Sequence, residues 1–376
     1  MKALLGWKAF AAAVVAIAGA GAVPAAQAAP VTDCPLATAS YSADTPLFDL
    51  LIDPRAKHLI DEAGILARLP PMIAREEAPS FATIVSLRQV ARIFKVDAAV
   101  VDGLGGALAK LPLTRAETVA RCARYAPDSR TPLTVPADKP ALLVFEHSNG
   151  FRDAPSVEAA QAALRAMADR RGWSFVFTSN PGDITKANLR RFKAVFWNNV
   201  SGDVLTVRQR AALRSYVEDG GGFAAIHGSG GDPLYLWDWY ADRLIGARFI
   251  GHVDVHQTAR IRIDDQASPI TAGVSPDWAM LEEWYSFEKS PRGPETRVLL
   301  TIDETSYEPT SGMRDLRMGD HPVAWTRCVG RGRSFYSAIG HRPETYSDAN
   351  NVRLLEQAIA WTMGLTSSDC GQPAGK

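Results

Sequence analysis

The apolar and polar positions between residues 140 and 364 alternate between two rhythms. ALLVFEH, WSFVFTS, AVFWNN and FAAIH are short, almost continuously apolar runs, the pattern of strands buried on both faces. Between them the spacing is helical. From Ser156 to Arg171, Val157, Ala160, Leu164 and Met167 fall on one face. ITKANLRRF reads as a short helix, and Thr206 caps another that runs through Glu218 and stops at the glycines 220 to 222. This strand–helix alternation predicts an α/β fold, a mainly parallel sheet with helices on both faces. VLLTID, PVAWTRC and GRSFYSAIG continue it as later strands, and a helix from about Ala349 to Met363 closes it. Residues 232–296 read as irregular and aromatic-rich, too long for a passive connection and suited to an active-site lobe.

Residues 29–125 have a different texture and predict a small helical region. Asp53 precedes Pro54, an N-cap followed by proline at the first helical position. Ser86 and Gln89 form a capping-box pair. Asp97 opens a helix with Val101, Leu104, Leu108 and Leu111 at helical spacing. Residues 126–139 are rich in proline and polar side chains and read as a linker; 365–376 form a tail.

The first 28 residues carry Lys2 and Lys8, an apolar core from Phe10 to Ala20, and Ala26-Gln27-Ala28 before a cleavage point. That is the pattern of a secretory signal, so the expected location is periplasmic or secreted. No other segment is apolar and long enough to span a bilayer. Lys+Arg and Asp+Glu are equal at 41 each, so no charge excess points to nucleic acid or an anionic membrane. In an oxidising compartment the four cysteines, Cys34, Cys122, Cys328 and Cys370, suit two disulfides, with three pairings open. Cys34–Cys122 with Cys328–Cys370 is favoured, because each bridge ties a terminal segment to its nearer region.

Ligands of such sheets bind beyond the carboxyl ends of the strands, where the search for chemistry therefore concentrates. Five of the seven histidines lie between residues 227 and 341, and His227, His252 and His341 each adjoin a glycine. A lone histidine is more often a hydrogen-bonded structural residue; two or more converging on one cleft would make a site. No cofactor is firmly called for. A divalent metal on His227, His252 and His341 is the candidate, since imidazoles with carboxylates suit zinc or a related ion. His252 and His256 sit in the strand-like GHVDVHQ, where even spacing shares a face. The GSGG after His227 suits either a tight turn or a cradle for a phosphate or sugar oxygen. Ser229 lacks the spacing of a nucleophile elbow, which disfavours a serine hydrolase. Trp237, Trp239, Tyr240, Trp284 and Tyr285 serve either as lobe core or as stacking surface for a sugar.

Seven blocks, VFEHSNGFRD, VFWNNVSGDVLTVRQRAALRSYVEDGGGFAAIHGSGG, DWYADRLIGARFIGH, EEWYSFEKSPRG, VLLTIDETSY, GDHPVAWTRCVGRGRSFYSAIGH and ETYSD, come in the order seen in ThuA-like domains. Residues 140–364 resemble this trehalose-utilisation family almost without a gap. The resemblance implies a flavodoxin-like fold related to class I glutamine amidotransferases. It implies a small-molecule carbohydrate as partner, a disaccharide or its 3-keto form. The family's recurrent polar residues fall on Gly150, Phe151, Arg152, His227, Trp239, Tyr240, His252, Glu283, Trp284, Tyr285, Asp320, His321, Gly340 and His341. Of these, Gly150, Phe151, Arg152, Trp239, Tyr240, His252, Trp284, Tyr285, Asp320 and His321, together with Asn149 and Asp153 from the end of the first strand, are the expected substrate-binding residues. Asp153 stands where the family usually has histidine. The amidotransferase cysteine is missing after the FAAIH strand, so glutamine hydrolysis by that route is excluded.

The first expectation is an exported enzyme that processes a sugar or keto-disaccharide by acid/base chemistry, with His227, Glu283 and His341 catalytic. A non-catalytic carbohydrate-binding or partner-docking protein on the same scaffold is the alternative, and a metal-dependent hydrolase a further one.

Overall fold

A computed structural model describes residues 29–366 of the 376-residue chain. The signal-like segment and Cys370 lie outside the described residues.

The N-terminal region contains α1 (Leu47–Leu51), α2 (Pro54–Glu62), α3 (Leu87–Ile93), α4 (Ala98–Leu108) and α5 (Arg115–Cys122). Asp53 caps α2 by accepting from the Arg55 N–H, and Ser86 with Gln89 forms a complete capping box on α3. Leu47, Leu50, Ile60, Leu87, Val90 and Leu108 are fully buried in a core of this region's own. A disulfide joins Cys34 to Cys122. Cys328 is disulfide-bonded as well, and Cys370, its expected partner, is outside the described residues.

The rest of the chain builds one nine-stranded sheet. Its early elements are β1 (Ala141–Phe145), α6 (Ala154–Arg171), β2 (Ser174–Thr178), α7 (Lys186–Leu189), β3 (Ala194–Asn198), α8 (Val207–Glu218) and β4 (Gly222–Ile226). β5 (Phe249–His252), β6 (Gln257–Ile263), β7 (Trp278–Glu282), β8 (Tyr285–Phe287) and β9 (Thr296–Ile302) follow. The short β10 (Thr310–Ser311) and β11 (Arg314–Asp315) precede β12 (Pro322–Val329), β13 (Gly332–Ser337) and α9 (Ala349–Thr362). The strand order is β2-β1-β3-β4-β13-β12-β9-β6-β7.

β2, β1, β3, β4 and β13 are parallel, the 2-1-3-4-5 order of a flavodoxin-like α/β fold. The chain leaves β1 toward β2 and then returns past β1 to β3, so the right-handed crossover rule puts α6 on one face and α7 with α8 on the other. Contacts agree: α7 packs on α8, and Arg170 of α6 pairs with Glu356 of α9.

Residues 232–296 correct the expectation of an irregular lobe. β6 and β7 extend the sheet through antiparallel pairings with β9 and each other, and β5 with β8 forms a separate two-stranded piece. The signal was present in QTARIRI, whose burial alternates residue by residue as a one-sided strand requires. From β13 onward each pairing reverses direction, through β12, β9 and β6 to β7. β7 therefore runs the same way as β13, and its carboxyl end reaches the same edge of the sheet as those of β1, β4 and β13.

Candidate active site

Four side chains meet at that edge. His227 follows β4, His341 follows β13, Glu283 follows β7 and His252 ends β5. Glu283 is the hub. Its Oε2 lies 3.3 Å from His227 Nε2 and 3.4 Å from His341 Nδ1, and its Oε1 lies 3.2 Å from His252 Nδ1. Asp153, preceding α6, stands 3.8 Å from His341 Nε2. The His256 ring, exposed on the turn between β5 and β6, makes an edge contact with His341 at 4.9 Å. His252 and His256 thus reach the cluster from a strand end and a turn, not from one shared strand face.

Local structure explains the convergence. His227 has φ of +37°, a left-handed conformation unusual for a residue with a β-carbon, so the chain turns sharply out of β4. Its Nδ1–H donates to the Ala338 carbonyl at 2.8 Å, which sends Nε2 toward Glu283. Tyr285 stacks on the ring at 4.1 Å, and the Tyr336 hydroxyl donates to the His227 carbonyl at 2.8 Å. The glycines after His227 exist for these rings. A β-carbon on Gly230 would come within 2.5 Å of Tyr336, and one on Gly231 within 2.6 Å of Tyr285. The tight-turn reading of GSGG therefore has a physical cause, close approach of backbone and aromatic ring.

Glu282 organises the opposite wall. It is fully buried and accepts from the N–H groups of Gly340, His341 and Arg342 and from the Thr345 hydroxyl. This clasp fixes the loop that carries His341. Sequence reasoning passed over Glu282 as a site residue, because the family resemblance marks Glu283 and nothing local gives Glu282 a role. The end of β7 and its register were the information needed.

Electrostatics separate the titrating groups. Burial opposes the charge on Glu283, but His227, His252 and His341 outweigh it and hold the carboxyl down at about 2. Burial likewise disfavours the His227 imidazolium, yet the Glu283 and Glu282 carboxylates raise its pKa above the ordinary histidine value. His341 goes the other way. Burial lowers it, aided by His227, against the pull of Glu283.

The other predicted residues fall into two groups. Phe151 is 42% exposed beside Asp153 and packs on Phe81 of the N-terminal region, ring centroids 5.2 Å apart; Arg152 is exposed next to it. Asn149 and Gly150 are buried beneath this loop, and the Asn149 carbonyl accepts from the Ser80 N–H and the Thr83 hydroxyl. The helical region thus abuts the loop that delivers Asp153. Trp239, Tyr240 and Trp284 are buried, with their polar atoms on Glu218, the Ser229 carbonyl and the Gln257 carbonyl respectively. Asp320 pairs with Arg292. His321 is buried away from the cluster, between Glu304 and the Tyr285 carbonyl, each at 2.8 Å.

The ThuA family model, described as trehalose utilisation, matches residues 141–362, more than half of the chain. This chain belongs to the ThuA family. A solved ThuA-like protein from Bacteroides uniformis superposes with a TM-score of 0.52 and 22% identity, covering 61% of this chain and 94% of its own. Another, from Parabacteroides merdae, gives 0.46 and 16%, covering 61% and 93%. The first of these likenesses shows the fold. No curated protein matches the chain. No helix among the described residues is long and apolar enough to cross a membrane.

Proposed function

We propose that this ThuA-family protein is an exported enzyme that processes a sugar or keto-disaccharide by moving a proton beside a carbonyl or glycosidic oxygen. The observation that carries the reading is the convergence of three imidazoles on the Glu283 carboxylate, 3.2–3.4 Å away, at the carboxyl edge of the sheet. Neighbouring groups whose environments push their pKa values in opposite directions divide the work of acid and base. His227, raised by Glu283, is the proton donor that polarises the substrate oxygen. His341, lowered and less buried than His227, is the base. Glu283 holds the negative charge between them. Asp153 orients His341 from its far side.

Phe151 and Arg152 are the exposed surfaces offered to the sugar ring and its hydroxyls, Tyr285 backs His227, and His252 braces Glu283, while Asn149, Gly150, Trp239, Tyr240, Trp284, Asp320 and His321 belong to the scaffold around them. The signal-like first 28 residues support export to the periplasm or the medium, where the Cys34–Cys122 bridge persists.

Incubation of the protein with a panel of disaccharides and their 3-keto forms, read by mass spectrometry, tests the proposal. A product that disappears in Glu283→Gln supports it. Saturable sugar binding with no product from any panel member would replace it with the carbohydrate-binding alternative.

A further inference from the structure

We infer that the Glu283 cluster is a divalent-cation site, with His227 Nε2, His341 Nδ1 and a carboxylate oxygen of Glu283 as the protein ligands. The inference rests on the reading of this cluster as the reacting centre, and it names the electrophile that works there.

The first observation is the state of His227. The residue is 3% exposed, and its Nε2 makes no hydrogen bond among the described residues although it points at Glu283. Its Nδ1 must carry a proton to donate to the Ala338 carbonyl, so in the neutral imidazole it is the Nε2 lone pair that faces inward. A buried lone pair opposite a carboxylate oxygen is repulsive unless positive charge lies between them.

The second observation is spacing. The three ligand atoms all lie within 4.8 Å of one another. Two of the separations, 3.3 Å and 3.4 Å from Glu283 Oε2, are fixed by the ion-pair geometry. Ligands bound at about 2.0–2.1 Å in a tetrahedron stand about 3.3–3.4 Å apart, so both distances match edges of a zinc-like coordination polyhedron. His321 and Glu304 make the contrast. Their 2.8 Å separation is a direct hydrogen bond and leaves no such gap.

The third observation is support around the ligands. His252 braces the second oxygen of Glu283, and Asp153 stands behind His341, positions from which carboxylates and imidazoles orient metal ligands. Glu283 therefore takes the ligand place that sequence reasoning gave to His252. Two imidazoles and one carboxylate suit zinc, or manganese and iron, rather than the all-oxygen preference of calcium or magnesium. The side chains of His341 and Glu283 are 21% and 12% exposed, so the remaining coordination position faces the cleft. A cation there would take the place of the His227 proton in polarising a sugar carbonyl, and with His341 also a ligand the proton-moving work would pass to its neighbours outside the ligand set, Asp153 and His252.

An imidazolium on His227 fills the same gap without a metal, and experiment separates the two. The full chain is dialysed against chelator and titrated with Zn²⁺ and with Mn²⁺, read by calorimetry and thermal unfolding. The expected result is one equivalent bound per chain and a raised Tm. His341→Ala and Glu283→Gln should each weaken binding at least about tenfold. His58→Ala, on the exposed face of α2, should leave affinity unchanged. His227→Ala tests the buried ligand, and the part-exposed His341 keeps the question answerable if that variant does not fold. Absence of saturable binding by either ion, or binding that His341→Ala and Glu283→Gln leave intact, overturns the inference. Turnover that survives chelation with unchanged kcat also overturns it, while leaving the enzymatic reading in place. One equivalent of bound metal without conversion of any panel sugar upholds the site and removes the reading of the cluster as a reacting centre.

Discussion

Glu282 and Glu283 are neighbours in the chain but live in different surroundings. Glu282 is buried and meets four donors, three backbone N–H groups and a hydroxyl. Glu283 is partly exposed and meets three imidazole nitrogens at 3.2–3.4 Å, longer than a good hydrogen bond. The same division separates the histidines. His321 has both ring nitrogens on protein acceptors at 2.8 Å, whereas His227 has one nitrogen hydrogen-bonded and the other facing Glu283 at a looser 3.3 Å. A polar group with every partner in place specifies structure. A group held in place with capacity left over is available for chemistry.

This contrast can be broken by substitution. Glu282→Ala strands four donors under the His341 loop, and the expected loss is about 3–5 kcal/mol of stability, read by urea denaturation, with activity falling as the loop loosens. Glu283→Gln should do the reverse. It keeps the shape of the side chain, so it should cost less stability than Glu282→Ala, although the charge that holds the imidazoles is gone, while turnover drops by about 10²–10⁴-fold. Equal destabilisation by the two changes would abolish the distinction drawn between them.

Gly340→Ala probes the joint between the two carboxylates. Gly340 donates its N–H to Glu282, has φ of +145°, and would place a β-carbon 2.6 Å from the Tyr346 hydroxyl and 3.1 Å from the His227 β-carbon. Backbone strain and overpacking together should cost about 1–3 kcal/mol and reduce turnover by displacing His227. A variant with native stability and native kcat would show the loop to be more forgiving than this packing implies.

The smallest effect is expected at the satisfied pair. Burial opposes the charge on Glu304, but the hydrogen bond from His321 and those from the Met318 and Gly319 N–H groups outweigh it and lower its pKa. A carboxyl with a depressed folded-state pKa contributes stability that is complete above its unfolded value, near about 4.3, and is lost as pH falls through the folded value. Denaturation measured from pH 6 down to pH 3 should therefore show a shallower acid loss in Glu304→Gln than in the parent. An unchanged slope would mean that the His321–Glu304 pair does not hold this part of the fold.

Much of the scaffold was legible because its signals are local. Thr206 with Gln209 completes a capping box on α8, and Asp53 caps α2, since these bonds close within three residues. The parallel strands betrayed themselves by continuous apolar runs such as ALLVF, buried at every position. β6 and β7 were missed although QTARIRI alternates, because they lie in a long aromatic-rich stretch and their partners are about 20 to 40 residues away. The expectation that His252 and His256 share one strand face is corrected, because β5 ends at His252 and His256 lies on the turn before β6.

The sequence by itself determined the strand–helix alternation, the caps, the blocks that mark the ThuA family, and the histidines worth watching. It singled out Glu283 through the family resemblance, but it supplied no physical reason for that choice over the adjacent Glu282. Side chains alternate across a strand, so that choice waits on which face of the β7 end is buried. Nor could it bring Glu283 to His227 and His341. That meeting depends on four successive antiparallel pairings that return β7 to the edge where β4 and β13 end. Only the assembled sheet decides it, because the contacts of Glu283 with His227 and His341 join residues more than fifty positions apart.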